Sequence, residues 1–169
     1  DAYLESLFPE RRRVEATHRL DRDTSGCVLC GLSDEAVSHW RADFQHRKIS
    51  KTYLALVHDP EKLWSSGQRE TIEIPLGFAK DSTVRLAMGR GDLSAQTDVH
   101  CQSRSEDLAL LEVSIHEGRQ HQIRVHLSLF GTPIVGDKLY GKAGEDYFIR
   151  WHQAPHEVTA EDPLPTPFH

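Results

Sequence analysis

The sequence predicts an α+β protein in which helices pack on a mostly antiparallel, mixed β-sheet. Short strand-like runs follow one another without strict alternation with helices, which favours antiparallel pairing over a doubly wound parallel sheet. Two segments, 34–47 and 119–130, carry apolar residues at helical spacing. The 169 residues suffice for one sizeable core, so we expect a single domain over 1–169.

The first part of the chain predicts a strand, a helix and a second strand. Residues 26–32 form a short apolar run, which we interpret as a buried strand. Cys27 and Cys30 lie in that run, and because no second CxxC is present we interpret them as core residues and not as a metal or redox pair. Ser33 suits the N-cap of helix 34–47, and residues 50–58 are again strand-like.

The rest of the chain is rich in strands and contains the second helix. Short strand-like runs bounded by turn residues lie at 70–78, 84–88, 95–103 and 108–116, the last two being a hairpin around the polar turn 104–107. Helix 119–130 should end at Gly131, a typical C-terminal glycine. Residues 133–141 are loop-like, and the segment 142–169 is expected to be an atypical, partly irregular tail.

Composition and charge exclude several classes of protein. Apolar residues make up 38% and charged residues 27%, which is typical of a globular and not of a disordered chain, and no apolar run could span a bilayer. Three cysteines without a disulfide pattern favour a reducing cytoplasm. The formal net charge of −6 argues against tight nonspecific binding to nucleic acid, although basic residues cluster at 11–22, 41–51 and 119–126.

Residues 18–26 (HRLDRDTSG) contain a candidate nucleophile. Asp21 is flanked by Arg19 and Arg22, and nearby cations favour the ionised carboxylate that a nucleophile requires. Asp23 competes with Asp21 for this role, and nothing in the local pattern separates the two. Both aspartates could also serve ordinary turn hydrogen bonds.

Residues 118–127 (GRQHQIRVHL) contain a candidate anion-binding arginine. Gln120 and Arg124 are four residues apart, so on a helix they would share a face opposite the apolar one. Arg124 could then meet a carboxylate or phosphate at two points, although an exposed arginine without a partner would have the same spacing. The spacing of five between His116, His121 and His126 does not favour a zinc site, and no glycine pattern indicates a nucleotide cofactor.

Four segments in order resemble the RluA-type pseudouridine synthases. They are 18–26, then 51–57 (KTYLALV), 118–127 and 131–141 (GTPIVGDKLYG), so the resemblance runs from about residue 17 to about residue 140. It implies the catalytic fold of that family. It also implies isomerisation of a uridine in structured ribosomal or transfer RNA, in which the base is detached and rejoined through C5, without a metal or organic cofactor. We expect a cytoplasmic monomer whose partner is the RNA.

The resemblance also implies roles for single residues. The catalytic aspartate of the family matches Asp21 and not Asp23. The tyrosine that stacks on the target base matches Tyr53, and the arginine that pairs with the aspartate matches Arg124. Arg19 matches an arginine that helps to hold the RNA with its base turned out. Further contacts with RNA are expected from Arg22, Arg47, Lys51, Arg119 and His121.

The chain departs from the family pattern near its C-terminus. A family strand that ends in Leu-His-Ala is not visible after residue 141, and Ile134 and Val135 are only weak substitutes for its apolar packing near the base. The chain begins at Asp1 and not at a methionine, which we interpret as the boundary of a trimmed catalytic domain.

Two other classes of protein stay open at this point. A noncatalytic RNA-binding module is opposed by the intact Asp21, Tyr53 and Arg124. A carboxylate-dependent glycosidase would need a second acid across the bond. Only Asp137 offers one, and a structural role in its loop suits that residue better.

Overall fold

A computed structural model describes residues 6–10, 13–141 and 144–153 of the chain. The chain divides into two compact units, Asp1–Ser50 and Lys51–His169. Each unit has its own secondary structure. Among the described residues, no helix has both the length and the apolar character needed to cross a membrane.

The first unit consists of a short ladder and one helix. Strand β1 (Glu15–Ala16) pairs antiparallel with β2 (Cys30–Gly31), and helix α1 (Asp34–Gln45) follows. The N-cap prediction is confirmed, because the Ser33 hydroxyl accepts the Ala36 N–H at 3.2 Å. The helix ends two residues earlier than predicted, and its side chain at Val37 is buried.

The predicted buried strand over 26–32 is wrong in most of its length. Only Cys30 and Gly31 pair, whereas Cys27 is exposed and the side chain of Val28 is 42% exposed. Thr17 closes the ladder by donating both its N–H and its hydroxyl to the Leu29 carbonyl, and the chain between them leaves as a loop. An apolar run becomes a buried strand only where a partner strand covers it, and β1 is too short to do so.

The second unit is built on a four-stranded antiparallel sheet of β3 (Lys51–His58), β4 (Arg69–Glu73), β7 (Gln96–Ser105) and β8 (Leu108–Ile115). The strands lie side by side in the order β3-β8-β7-β4. A separate two-stranded ladder joins β5 (Leu76–Phe78) to β6 (Met88–Arg90), also antiparallel. The α+β class with antiparallel pairing is therefore confirmed.

Three strand predictions need adjustment. The run 70–78 divides into β4 and β5 around Pro75, which has no N–H to give to a ladder. The strand predicted over 84–88 is wrong in its bounds. The Ala87 N–H donates to the Val84 carbonyl in a turn, and strand pairing begins only at Met88. The hairpin is confirmed, but its strands continue to Ser105 and resume at Leu108, so the turn is shorter than predicted.

The core of the second unit lies on one face of the sheet. Strand β3 alternates, with Ala55 and Val57 buried and Leu54 exposed by 66% on the opposite face. The buried face meets helix α2 (Gln122–Leu129), whose Leu127 is fully buried in the same cluster. Further members of this cluster are Trp64, Ile72, Val99, Cys101, Ala109, Leu111 and Val113.

Helix α2 starts three residues later and ends one residue earlier than predicted, and Gly131 follows its C-cap residue Phe130. Its N-cap is His121, whose backbone is left-handed with φ of 54° and whose side chain makes no capping bond. At the other end Gly131 has φ of 95°, its N–H bonds the Ser128 carbonyl at 3.0 Å, and Thr132 N–H bonds the Leu127 carbonyl at 2.9 Å. These two bonds are a Schellman motif, which explains why a glycine follows the helix.

Helix α3 (Gly144–Gln153) was not predicted and occupies part of the segment expected to be partly irregular. Tyr147 is buried, and the Glu145 carboxylate accepts bonds from the Ser82 hydroxyl at 2.7 Å and the Val84 N–H at 3.1 Å. The rest of the expected irregular tail, 154–169, lies outside the described residues, as do 142 and 143.

Candidate active site

Asp21 lies in the loop between β1 and β2 of the first unit. The base of this loop is fixed by Thr17 and by His18, whose Nε2 accepts the Leu29 N–H at 3.0 Å and whose ring lies 4.6 Å from that of Phe44. The Asp21 carbonyl accepts the Thr24 N–H at 3.0 Å, so Asp21 opens a tight turn. Asp21 is half-buried at the start of this turn.

The two competing aspartates have different surroundings. The Arg22 guanidinium binds Asp23 through Nε–Oδ1 at 3.2 Å and Nη2–Oδ2 at 3.1 Å. Both side chains of that pair are more than half exposed, at 55% and 53%. Asp23 is therefore the partner of a surface arginine, and Asp21 is the more buried of the two.

Several basic residues of the first unit are already in ion pairs. Arg13 binds Glu15 and Asp34, and Arg41 binds the second oxygen of Glu15. Lys48 lies 3.2 Å from Asp43. Two of the residues expected to touch RNA, Arg19 and Arg47, are exposed, and Arg47 follows α1 with a left-handed φ of 57°. The positive charge available to RNA is thus smaller than the count of basic residues suggests.

Tyr53 lies on β3 opposite Val113 in the ladder to β8. By the alternation of the strand it faces the same side as Ala55 and Val57, near the start of the strand where burial is incomplete. Tyr53 is half-buried, so the residue is not enclosed in the core. An aromatic ring at such an edge can offer a face to a ligand.

Lys51 lies two residues before Tyr53, on the same face of β3. Its side chain reaches the turn at Gly118, which precedes α2. A Cβ atom added to Gly118 would lie 2.5 Å from Lys51 Nζ, so the ammonium group rests against this glycine. Burial lowers the pKa of Lys51, and the charge of Glu117 acts in the opposite direction. The turn at Gly118, where φ is 74°, therefore sets the position of a lysine expected to touch RNA.

Arg124 lies in the first turn of α2 and forms a two-point ion pair with Asp137. The distances are 2.7 Å between Nε and Oδ2 and 3.0 Å between Nη2 and Oδ1. The Asp137 side chain is 3% exposed and that of Arg124 is 22% exposed. The carboxylate partner that the family resemblance implies for this arginine is Asp21, and that pairing stays a prediction.

The predicted face shared by Gln120 and Arg124 is wrong. Gln120 precedes α2 and donates from Nε2 to the Leu86 carbonyl at 3.2 Å. Helical spacing has no meaning outside the helix, and α2 begins at Gln122.

Asp137 is held as a charged group by several donors. Its Oδ1 accepts the N–H groups of Leu139 and Tyr140, both at 2.9 Å. Burial by itself would raise the pKa of Asp137, but the Arg124 pair and the two N–H groups outweigh it, and the pKa is lowered. From the sequence, Asp137 was the only candidate for the second acid of a glycosidase, and a structural role in its loop suited it better. It is the one carboxylate in 131–141, and this was the signal that it could pair with Arg124.

Tyr140 connects Arg124 to His121. The guanidinium carbon of Arg124 lies 4.8 Å from the centre of the Tyr140 ring, which is within the range of a cation–π contact. The Tyr140 hydroxyl accepts the Met88 N–H at 2.8 Å and lies 2.7 Å from His121 Nδ1. Two residues of the predicted site, His121 and Arg124, thus meet on one tyrosine.

His126 belongs to the core and is not a ligand in this site. It is fully buried, with Nε2 at 2.9 Å from the Ile74 carbonyl and Nδ1 at 2.8 Å from the Thr97 hydroxyl. A carbonyl can only accept, so Nε2 carries the proton and the neutral ring accepts at Nδ1. Burial lowers the pKa of His126, against smaller opposing effects of the Ile74 carbonyl and Glu117.

Gln122 fastens the residues before α2 to the sheet. Its Nε2 donates to the Gln96 carbonyl at 2.9 Å, and its Oε1 accepts the Arg119 N–H at 2.9 Å. Arg119 in turn donates from Nε to the Ser94 carbonyl at 3.1 Å. The Nε2 atom of His116 lies 2.7 Å from Oδ2 of Asp98. Within the described ranges, no three His, Cys, Asp or Glu side chains form a group that could hold a metal ion.

A family model described as RNA pseudouridylate synthase matches residues 2–129. The chain belongs to this family. The matched residues include Asp21, Tyr53 and Arg124, whereas Asp137 and Tyr140 follow them. Similarity to named relatives confirms the resemblance to RluA-type pseudouridine synthases that the four motifs indicated.

Individual relatives agree with the family match. An uncharacterized RNA pseudouridine synthase of Chloroflexus aurantiacus is 39% identical over 129 residues, which are 76% of this chain and 39% of the relative. The ribosomal large subunit pseudouridine synthase D of Nitrosomonas europaea is 34% identical over 134 residues, 79% of this chain and 38% of the relative. The matched part is therefore less than half of either relative.

The fold has a counterpart among solved structures of the family. The human RNA pseudouridylate synthase domain containing 1 superposes with a TM-score of 0.73 at 26% identity, over 86% of this chain and 61% of that chain. The likeness includes the antiparallel α+β architecture described above.

Proposed function

We propose that this chain carries the catalytic residues of an RNA pseudouridine synthase, with Asp21 as the nucleophile. The observation that carries the proposal is the family match over 2–129, a range that includes Asp21, Tyr53 and Arg124. The target is a specific uridine in structured ribosomal or transfer RNA. In this proposal the protein acts in the cytoplasm as a monomer, and the reaction needs no metal or organic cofactor.

The proposed reaction breaks one bond and forms another between the same two fragments. The bond between uracil N1 and ribose C1′ breaks, and C5 of the base then bonds to C1′. The proton on C5 leaves and N1 gains one, so the product is an isomer of the substrate. A fixed carboxylate beside C1′ stabilises the charge that develops on the sugar. Asp21 can act by adding to the sugar, adding to the base or removing a ribose proton, and each route requires its ionised form.

Tyr53 is the proposed platform for the target base. A base inside a stack cannot reach an active site, so the nucleotide must turn out, at a cost of a few kcal/mol that loops and bulges reduce. Stacking on an aromatic ring contributes about 1–3 kcal/mol of favourable binding free energy per base. The intermediate burial of Tyr53 supports this role, because the residue is neither enclosed in the core nor fully exposed.

The remaining predicted residues supply phosphate contacts. Arg19 and Arg47 are exposed, and Lys51, Arg119 and His121 lie around the turn before α2. Arg22 would have to share its charge with Asp23. A chain with a net charge of −6 cannot rely on general attraction to RNA, so we propose that these few local cations and the shape of the RNA select the substrate.

A glycosidase is a weaker alternative after the structure is considered. Asp137 was the only candidate for the second acid, and it is buried in an ion pair with Arg124. Its lowered pKa keeps it ionised, whereas a general acid needs a raised pKa to hold a proton.

The proposal is tested with RNA labelled with tritium at C5 of uridine, since pseudouridine formation releases that label. The wild-type protein should release tritium from unmodified ribosomal or transfer RNA. Asp21→Asn should abolish release while RNA binding stays within a few-fold of wild type. Asp23→Asn is the matched control and should keep most of the activity, because Asp23 is the partner of the exposed Arg22.

Two results would contradict different parts of the proposal. Tritium release by Asp21→Asn would remove Asp21 as the nucleophile. No release by the wild type from either class of RNA would remove the activity itself. Mapping of pseudouridines in ribosomal and transfer RNA from cells with and without the gene then identifies the uridine.

A further inference from the structure

We propose that Asp137 is a positioning residue that fixes the guanidinium of Arg124 in its working orientation before RNA binds, with Tyr140 as the platform beneath it. This inference rests on the proposed function, because it assigns Arg124 to the reaction. Asp137 itself touches no substrate in this proposal. It lies beyond the residues matched by the family model, and it acts only through Arg124.

The carboxylate of Asp137 is itself held in place. The loop that carries it is bonded to the edge of the sheet, since His58 N–H donates to the Pro133 carbonyl and Val135 N–H donates to the Leu56 carbonyl, both at 2.9 Å. The N–H of Asp137 bonds the Ile134 carbonyl at 3.1 Å. With two further N–H donors on Oδ1, the side chain has a defined orientation against a rigid strand.

Arg124 is held in two directions. In the plane of the guanidinium, Nε and Nη2 bind the two oxygens of Asp137 in the fork geometry that arginine and carboxylate share. The guanidinium carbon also lies over the Tyr140 ring, 4.8 Å from the ring centre. The Tyr140 backbone is tied to the same helix as Arg124, because the Ser128 hydroxyl donates to the Tyr140 carbonyl at 2.9 Å.

This arrangement matters because arginine has a long, flexible side chain. Donors that are aligned before the reaction avoid the cost of ordering them in the transition state. The charge of Asp137 is retained at neutral pH, so the alignment does not depend on substrate. The Tyr140 hydroxyl extends the same unit to His121, whose left-handed backbone is held next to the arginine.

Asp137→Asn is the decisive variant. The amide keeps an oxygen for the N–H groups of Leu139 and Tyr140 but faces Arg124 Nε with a donor in place of an acceptor. We expect kcat in the tritium assay to fall about 30-fold with KM changed less than about threefold. Asp146→Asn, at an exposed acid in α3, is the matched control and should leave both constants unchanged.

A double-mutant cycle separates positioning from a general structural effect. In an Arg124→Ala background, Asp137→Asn should change the residual single-turnover rate less than about twofold, because there is no longer an arginine to position. An equal loss in both backgrounds would overturn the proposal. Tyr140→Phe keeps the ring and should cost less than Asp137→Asn.

A spectroscopic measurement tests the same point without activity. In 15N-labelled wild-type protein, Arg124 Nε–H should give a resolved signal with slow solvent exchange at neutral pH. The signal should persist in Asp146→Asn and lose its protection in Asp137→Asn. If that variant fails to fold, acid titration of the wild type should release the signal only where the carboxylate becomes protonated.

Persistent protection in folded Asp137→Asn would overturn the positioning role, as would a wild-type signal that exchanges freely at neutral pH. An inactive wild type would overturn the proposed function, while this measurement would still decide whether Asp137 holds Arg124.

Discussion

Arg124 and Asp137 share a two-point ion pair in which both carboxylate oxygens and two guanidinium nitrogens take part. The arginine expected to support the nucleophile thus has an acid partner within its own unit. The pairing of Arg124 with Asp21 that the family resemblance implies stays a prediction.

Loss of the Arg124 side chain should destabilise the fold as well as slow the proposed reaction. Arg124→Ala leaves the buried Asp137 carboxylate without its cation, and we expect the free energy of unfolding to fall by about 2–3 kcal/mol, less than for a fully buried pair because Arg124 is partly exposed. Urea denaturation at pH 7 measures this. Arg22→Ala removes an exposed pair and should have little effect. Equal losses in the two variants would contradict the burial argument.

His126 should make stability depend on pH in the mildly acidic range. Its folded pKa lies below the unfolded value of about 6.5, so the unfolded chain binds the extra proton first. Its contribution to stability is complete above about pH 6.5 and declines as the pH falls toward the folded pKa, with a slope of at most about 1.4 kcal/mol per pH unit.

The measurement for His126 is the free energy of unfolding between pH 7.5 and pH 5. His126→Gln should be less stable at pH 7.5, because it alters the buried bonds to Thr97 and Ile74, but its pH slope should be flatter. His152→Gln, at an exposed position, should keep the wild-type slope. An unchanged slope in His126→Gln would show that other groups cause the pH dependence.

Tyr53 should matter more for turnover than for folding. Tyr53→Phe keeps the stacking face and should bind RNA almost as tightly, with a slower single-turnover rate. Tyr53→Leu loses the ring and should bind RNA about tenfold more weakly. Leu54→Ala, on the opposite and exposed face of β3, serves as control in RNA binding and thermal melting. If Tyr53→Phe mainly reduces the amount of folded protein, the stacking role is wrong.

Gly118 should affect RNA binding through Lys51. Alanine at Gly118 meets a left-handed φ of 74° and places its Cβ on Lys51 Nζ, which must move. Gly67→Ala is a matched control, because Gly67 has φ of 85° and no atom lies within 4 Å of its Cβ position. Both should lose about 1 kcal/mol of stability, but only Gly118→Ala should weaken RNA binding in a titration. Equal affinities would remove Lys51 from the binding surface.

Elements with strong local signals were predictable from the sequence. The Ser33 cap defines the start of α1, and the Gly131 turn defines the end of α2. The alternation along 96–115 predicts the hairpin because both strands of that pair bury the same face. Each signal lies within a few residues of the structure it specifies, so no knowledge of distant contacts was needed.

Elements that depend on a partner were not predictable in the same way. The apolar run at 26–29 lacks a covering strand, and α3 is fastened by Glu145 to a turn about sixty residues earlier in the chain. The sequence did not favour His126 as a zinc ligand but gave it no other role, and the bonds to the Ile74 carbonyl and the Thr97 hydroxyl make it part of the core.

The sequence by itself determined the family, because four motifs follow one another in the order typical of that family. These motifs contain Asp21, Tyr53, Arg124 and Asp137, and the roles of these residues in the reaction stay predictions. Only the tertiary structure decided that Asp137 is a partner of Arg124. The pair forms because the loop 131–141 folds back on the edge of β3 and brings the carboxylate to the first turn of α2. Such a contact depends on how a loop closes in space, and residue type and spacing do not specify that closure.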